Sequence, residues 1–128
     1  MAKLILAINP GSTSTKISVY EDKKEVFTKT LRHTNEELAP YKNVIEQLDF
    51  RKGTIKAALE ENNIPLNSLD VIVGRGGLVK PIPSGVYQVN DAMINDIKSG
   101  KNGEHASNLG AIIAKDLAAE VGNIPALI

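Results

Sequence analysis

The chain has 128 residues, 15 basic and 15 acidic side chains and no net charge at pH 7. That length suits one domain able to bury a real core, and the balanced charge gives no electrostatic reason for a nucleic-acid or acidic-membrane partner. Without cysteine, disulfides, thiolate metal sites and thiol catalysis are excluded.

The opening "MAKLILAINP" lacks the longer apolar core and cleavage site of a signal peptide. No apolar run approaches the roughly 20 residues of a membrane helix, so the sequence reads as cytoplasmic. Leu4 to Ile8 is nearly all apolar and predicts a central strand covered on both faces. Lys16 to Tyr20 alternates, with Ile17 and Val19 opposite Ser18 and Tyr20, and Glu25 to Leu31 alternates again. Glu21 to Lys24 is a charged turn between them, so the first thirty or so residues read as a three-stranded antiparallel meander. Arg32 to Pro40 is polar and reads as a loop, with His33 at the surface.

From Tyr41 the period lengthens. Val44, Ile45, Leu48, Ile55, Ala58 and Leu59 fit a helical stripe, which Asp49 or Gly53 can divide. Val71 to Val73 is a short strand, followed by "GRGG". Leu78 to Val89 carries prolines and a glycine and reads as a loop or an edge strand. Asp91 to Ser99 predicts a helix with Met93, Ile94 and Ile97 inward. Ser107 or Asn108 caps a further helix with Leu109, Ile112, Ile113, Leu117 and Val121 on its apolar face, and Gly122 ends it. The final "GNIPALI" opens another strand, at which a natural terminus or a truncation would equally stop. This order predicts an α/β fold whose mixed sheet, an antiparallel meander followed by parallel strands, is flanked by helices.

The stretch that carries chemistry is "NPGSTSTK", Asn9 to Lys16, between the first two strands. Gly11 has no side chain to keep an anion away. Successive amides in such a turn form an anion-binding concavity. Ser12, Thr13, Ser14 and Thr15 add hydroxyl donors, Lys16 a cation, and Asn9 an amide at the mouth of the first strand. The same letters also suit a polar hairpin turn, and the spacing is not that of a Walker loop.

"ILAINPGSTSTKISVY" resembles the first phosphate loop of the acetate and butyrate kinases, marked by N-x-G-S-[ST]-[ST]-[ST]-[ST]-K. "VGRGGLVKPIPSGVYQVN" and "GEHASNLGAIIA" resemble the butyrate kinase group in particular, since acetate kinases tend to carry H-G-G where this chain has R-G-G. The motifs spread over residues 5 to 114. The resemblance implies a ribonuclease H-like fold of the acetate and sugar kinase, Hsp70 and actin superfamily. It implies that residues 1–128 are an N-terminal acetokinase-type domain, with the C-terminal nucleotide-binding domain absent. It also implies phosphoryl transfer between Mg²⁺-ATP and butyrate or a related short-chain acid, by a full-length protein that forms a homo-oligomer. An acetate kinase and a non-catalytic phosphate-binding module are the alternatives.

On that resemblance Gly11, Ser12, Thr13, Ser14 and Lys16 grip the nucleotide phosphates. Asn9 orients a phosphoryl oxygen, or a water on the Mg²⁺. Arg75, at a strand's carboxyl end, suits a carboxylate or phosphoryl group bidentately. A structural arginine tied to backbone carbonyls is the other reading. Pro83, Ser84 and Gly85 would wall an alkyl chain and His105 would face the cleft, or each would simply stiffen its own loop.

Overall fold

The structure, a computed structural model, describes residues 3–42, 45–75, 87–99, 108–122 and 124–128. Three strands open it: β1 (Leu4–Pro10), β2 (Ser14–Glu21) and β3 (Lys24–Arg32). Next come α1 (Asn35–Leu38) and α2 (Leu48–Glu61), then β4 (Val71–Gly74), α3 (Asp91–Ser99), α4 (Asn108–Glu120) and β5 (Ala126–Leu127). The five strands form one sheet in the order β3-β2-β1-β4-β5. The meander pairs antiparallel, whereas β4 lies parallel to β1 and β5 parallel to β4. This is the mixed sheet of a ribonuclease H-like fold.

The register assigns the two faces, because paired residues on neighbouring strands share a side. Leu6 opposes Val19 and Ile72, and Ile8 opposes Ile17 and Gly74. That face is covered by α2 and α4, whose Ile55, Leu59, Leu109, Ile112, Ile113 and Leu117 are buried against it. Burying each such Leu or Ile stabilises by roughly 1.5–3 kcal/mol.

On the other face Ile5, Ala7 and Asn9 are only half-buried. The expectation that the first strand is covered on both faces fails for that reason: β1 alternates between buried and half-buried along its length.

Helix α4 departs from a single apolar face. Its first seven residues, Asn108 to Ala114, are all buried, while Ala119 and Glu120 are exposed. Gly122 leaves the helix with φ +91°, the left-handed conformation glycine adopts most easily.

Two other expectations are corrected. Arg32 to Pro40 is not simply a loop: Thr34 starts α1 with a capping box, its hydroxyl accepting from the Glu37 N–H while the Glu37 carboxylate accepts from the Thr34 N–H. The helical segment is divided neither at Asp49 nor at Gly53. A 3₁₀ turn, Ile45–Gln47, leads directly into α2, which runs on through an exposed Gly53. Glycine there costs about 1 kcal/mol relative to alanine, which the packing of Ile55, Ala58 and Leu59 outweighs.

At the far edge, Tyr87 and Val89 pair antiparallel with Ile128 and Ala126, so this part of the Leu78 to Val89 segment is an edge pairing. No helix among the described residues is long and apolar enough to cross a membrane.

Candidate functional site

The turn between β1 and β2 consists of Gly11, Ser12 and Thr13, at the carboxyl end of β1. The Gly11 N–H donates to the Ser14 carbonyl at 2.7 Å and closes the turn. A Cβ on Gly11 would stand 3.1 Å from Ser14 Oγ, tighter than ordinary contact, so the residue keeps that hydroxyl in place.

Beneath the turn lies Arg51 of α2, which is fully buried. Its Nη1 donates to the Gly11 carbonyl at 2.7 Å, to the Ser14 carbonyl at 2.9 Å and to Thr15 Oγ1 at 3.3 Å. Nη2 donates to the Ser12 carbonyl at 3.1 Å. Gln47 Oε1 accepts from Nε at 3.0 Å and from Nη2 at 2.8 Å, which fixes the plane of the guanidinium.

A trans peptide is planar, with the N–H of one residue antiparallel to the carbonyl of the residue before. Drawing the Gly11 and Ser12 carbonyls down onto Arg51 therefore turns the Ser12 and Thr13 N–H groups away from it. Both residues are exposed, and neither N–H has a backbone partner among the described residues.

His33, read from sequence as a surface residue, is 5% exposed and braces the same turn. Its backbone N–H donates to the Thr13 carbonyl at 2.9 Å. Its ring Nε2 lies 2.9 Å from Thr15 Oγ1. Thr15 Oγ1 also accepts from Arg51, so one hydroxyl ties the ring to the guanidinium. Burial lowers the His33 pKa and the Arg51 charge lowers it further, against a smaller upward pull from Glu37. Phe50 packs edge-on against the ring, with centroids 5.1 Å apart. Thr15, fully buried, supports the turn from behind.

On the open face of the sheet a depression of about 380 Å³ is lined by Ala7, Asn9, Lys16, Ser18, Val73, Gly74, Arg75 and Ile128, among others. Asn9 and Lys16 are register partners across β1 and β2. Arg75 follows β4, and its N–H donates to the Ile8 carbonyl at 2.8 Å. The lining therefore holds two cations and an amide and, among the described residues, no carboxylate.

What brings Arg75 here is a close crossing. A Cβ on Gly74 would lie 2.2 Å from the Gly110 carbonyl oxygen, and one on Gly110 would lie 2.7 Å from that of Arg75. Paired glycines thus allow α4 to rest directly on the end of β4.

Asn9, Lys16 and Arg75 are brought together, and Gly11, Ser12, Thr13 and Ser14 form the adjacent turn. The Arg75 guanidinium has no partner among the described residues. Pro83, Ser84, Gly85 and His105 lie outside them. Arg51, Gln47 and His33 were not picked out as site residues from sequence. Arg51 does carry a signal: it stands where the stripe Leu48, Ile55, Ala58 and Leu59 calls for an apolar residue.

Comparison with known proteins places this sequence beside named kinases. The chain is 56% identical to butyrate kinase 1 of Clostridium acetobutylicum over 124 residues, 97% of this chain and 35% of that protein. The chain is a homologue of the butyrate kinases. Butyrate kinase 2 of the same organism is 54% identical over 118 residues, 92% of this chain and 33% of that protein. The chain thus spans about a third of the length of the curated relatives it matches. No family model matches it. Among solved structures, YeaZ from Pseudomonas aeruginosa superposes with a TM-score of 0.50 at 11% identity, over 97% of this chain and 42% of that one. That is a likeness of fold alone.

Proposed function

We propose that this chain is the phosphate-gripping N-terminal lobe of a two-lobed kinase acting on short-chain carboxylates. Butyrate and ATP would give butyryl phosphate and ADP, reversibly. A carboxylate oxygen forms a bond to the γ-phosphorus as the bond from that phosphorus to the ADP oxygen breaks. The observation that carries this reading is 56% identity to a butyrate kinase across 97% of the chain, the turn included.

The chemistry of the site supports it. Two anions must be brought together, which calls for donors and cations rather than covalent catalysis. The outward amides of Ser12 and Thr13 and the hydroxyls of Ser12, Thr13 and Ser14 would hold the phosphates, with Gly11 leaving room for them to approach. Lys16 and Arg75 would neutralise charge, and Arg75 would also take the carboxylate. Mg²⁺ fits as a companion of the nucleotide: the depression offers it no carboxylate among the described residues, and Asn9 would reach it through water. Mg²⁺ supplies charge neutralisation on the phosphates. Pro83 to Gly85 and His105 are proposed for the acyl side of the cleft. The nucleotide base and the remaining catalytic groups would come from the other lobe, so these 128 residues alone should show almost no turnover. The intact protein would be a homo-oligomer.

The test is to incubate the intact protein that carries this chain with Mg²⁺-ATP, hydroxylamine and one acid at a time: acetate, propionate, butyrate, isobutyrate or benzoate. Hydroxylamine traps an acyl phosphate as a coloured hydroxamate. Strongest signal with the four-carbon acids is expected. Signal with acetate alone would assign an acetate kinase. No signal from folded protein that still binds ATP would move the function to binding alone.

A further inference from the structure

We infer that Arg51 is the positioning residue of the phosphate turn, setting both the direction of its amides and the sign of the field beneath it. The inference deepens the reading of the turn as a nucleotide site and rests on it.

The first part of the argument is geometric. Arg51 is fully buried, and its donors go to the Gly11, Ser12 and Ser14 carbonyls, Thr15 Oγ1 and Gln47 Oε1. It cannot reach a ligand, but drawing the Gly11 and Ser12 carbonyls inward turns the Ser12 and Thr13 amides outward. An arginine suits the task because its planar fork presents five donors at fixed angles. A lysine would bring the charge without the fork.

The second part is electrostatic. A buried charge is normally paired with an opposite one. Among the described residues no carboxylate pairs with Arg51. Its partners are neutral oxygens, and His33, the nearby titratable group, has its pKa lowered by burial and by Arg51 itself. Glu37 acts on His33 only weakly, and the Asp49 carboxylate of α2 is turned out to solvent. Among the described residues the positive charge therefore has no opposite charge paired with it, and it lies directly behind outward-facing donors. An anion on the turn would supply the missing partner. A hairpin that served only to reverse the chain would have no use for this arrangement.

The test measures Kd for Mg²⁺-ATP, and separately for inorganic tripolyphosphate, by calorimetry on the intact protein, with KM for each substrate alongside. Arg51→Lys is expected to weaken both polyphosphate ligands by roughly tenfold or more, to raise KM for ATP similarly, and to leave KM for the carboxylate unchanged. Arg51→Met is expected to be worse than Arg51→Lys. Should neither variant fold cooperatively, Gln47→Leu loosens the guanidinium while keeping it, with about a threefold weakening expected. A folded Arg51→Lys or Gln47→Leu protein with the wild-type Kd for both ligands overturns the inference. So does equal loss for ATP and carboxylate, which a general structural defect would give. Wild-type protein that binds no polyphosphate overturns it together with the kinase reading. Wild-type protein that binds ATP but transfers no phosphoryl group overturns the kinase reading alone, and the Kd comparison still decides the role of Arg51.

Discussion

The meander holds two hairpin turns, and they are built differently. At one end of the sheet Asp22 and Lys23 link β2 to β3. The Asp22 N–H donates to the Lys3 carbonyl and its Oδ1 accepts from the Lys3 N–H, both at 2.8 Å. Asp22 takes φ 54°, a conformation short polar side chains tolerate in tight turns. These bonds all lie at the surface. At the other end Gly11, Ser12 and Thr13 link β1 to β2, and every carbonyl from Gly11 to Ser14 has a donor behind it, from Arg51 or His33. Both turns are small, polar and tight. Turn composition therefore does not tell the two apart; a buried cation beneath one of them, oriented by a second side chain, does.

Removing the cation should have the largest effect. Arg51→Met removes the donor of the Gly11 and Ser12 carbonyls and leaves the Ser14 carbonyl with the Gly11 N–H alone. It is expected to cost about 3 kcal/mol in stability, read by denaturant unfolding. Gly74→Ala comes next. Its Cβ would meet backbone of α4 rather than a movable side chain, so a loss of about 2–3 kcal/mol is expected, together with lower activity as Arg75 shifts. Asn9→Ala and Lys16→Ala separate function from stability. Unfolding should change by no more than about 0.5 kcal/mol, while kcat/KM falls by about 10²-fold. Equal losses in both measurements would make these two merely structural.

Acidification probes the bracket more gently. In the folded state the pKa of His33 is lowered, by burial and then by Arg51. As pH falls through the ordinary histidine value of about 6.5, the unfolded chain takes up a proton that the folded chain refuses. This histidine therefore contributes full stability above that pH and loses it below. Tm should fall between about pH 6.5 and 5, and His33→Gln should flatten that fall. Asp22→Gly in the other turn is expected to change stability by less than about 0.5 kcal/mol and leave ATP binding unaltered.

Much of the fold was legible because its signals are local. Alternation in Lys16 to Tyr20 and Glu25 to Leu31, the helical stripes and the Gly122 stop each need only neighbouring letters. The α1 helix was missed: Thr34 and Glu37 carry the capping pair, but the polar run around them reads as a loop. The site was half legible. Asn9 to Lys16 carry the proposed anion turn by chemistry and family resemblance. The bracket did not, because Arg51 reaches Gly11, Ser12 and Ser14 across 37 to 40 residues of chain. Periodicity marks Arg51 as misplaced on an apolar stripe but cannot name what it meets. His33 sits among Arg32, Thr34 and Asn35, so local polarity pointed outward, while Phe50, distant in sequence on α2, packs against its ring.

The most direct test of the account watches the turn itself. The intact protein would be labelled with ¹⁵N at glycine, serine and threonine, and the amide resonances followed as Mg²⁺-ATP, tripolyphosphate or adenosine is added. The account predicts that the Ser12 and Thr13 amides shift with ATP and with tripolyphosphate but not with adenosine. ATP that binds while those two amides stay in place would contradict it, leaving the turn a hairpin and the phosphates held elsewhere.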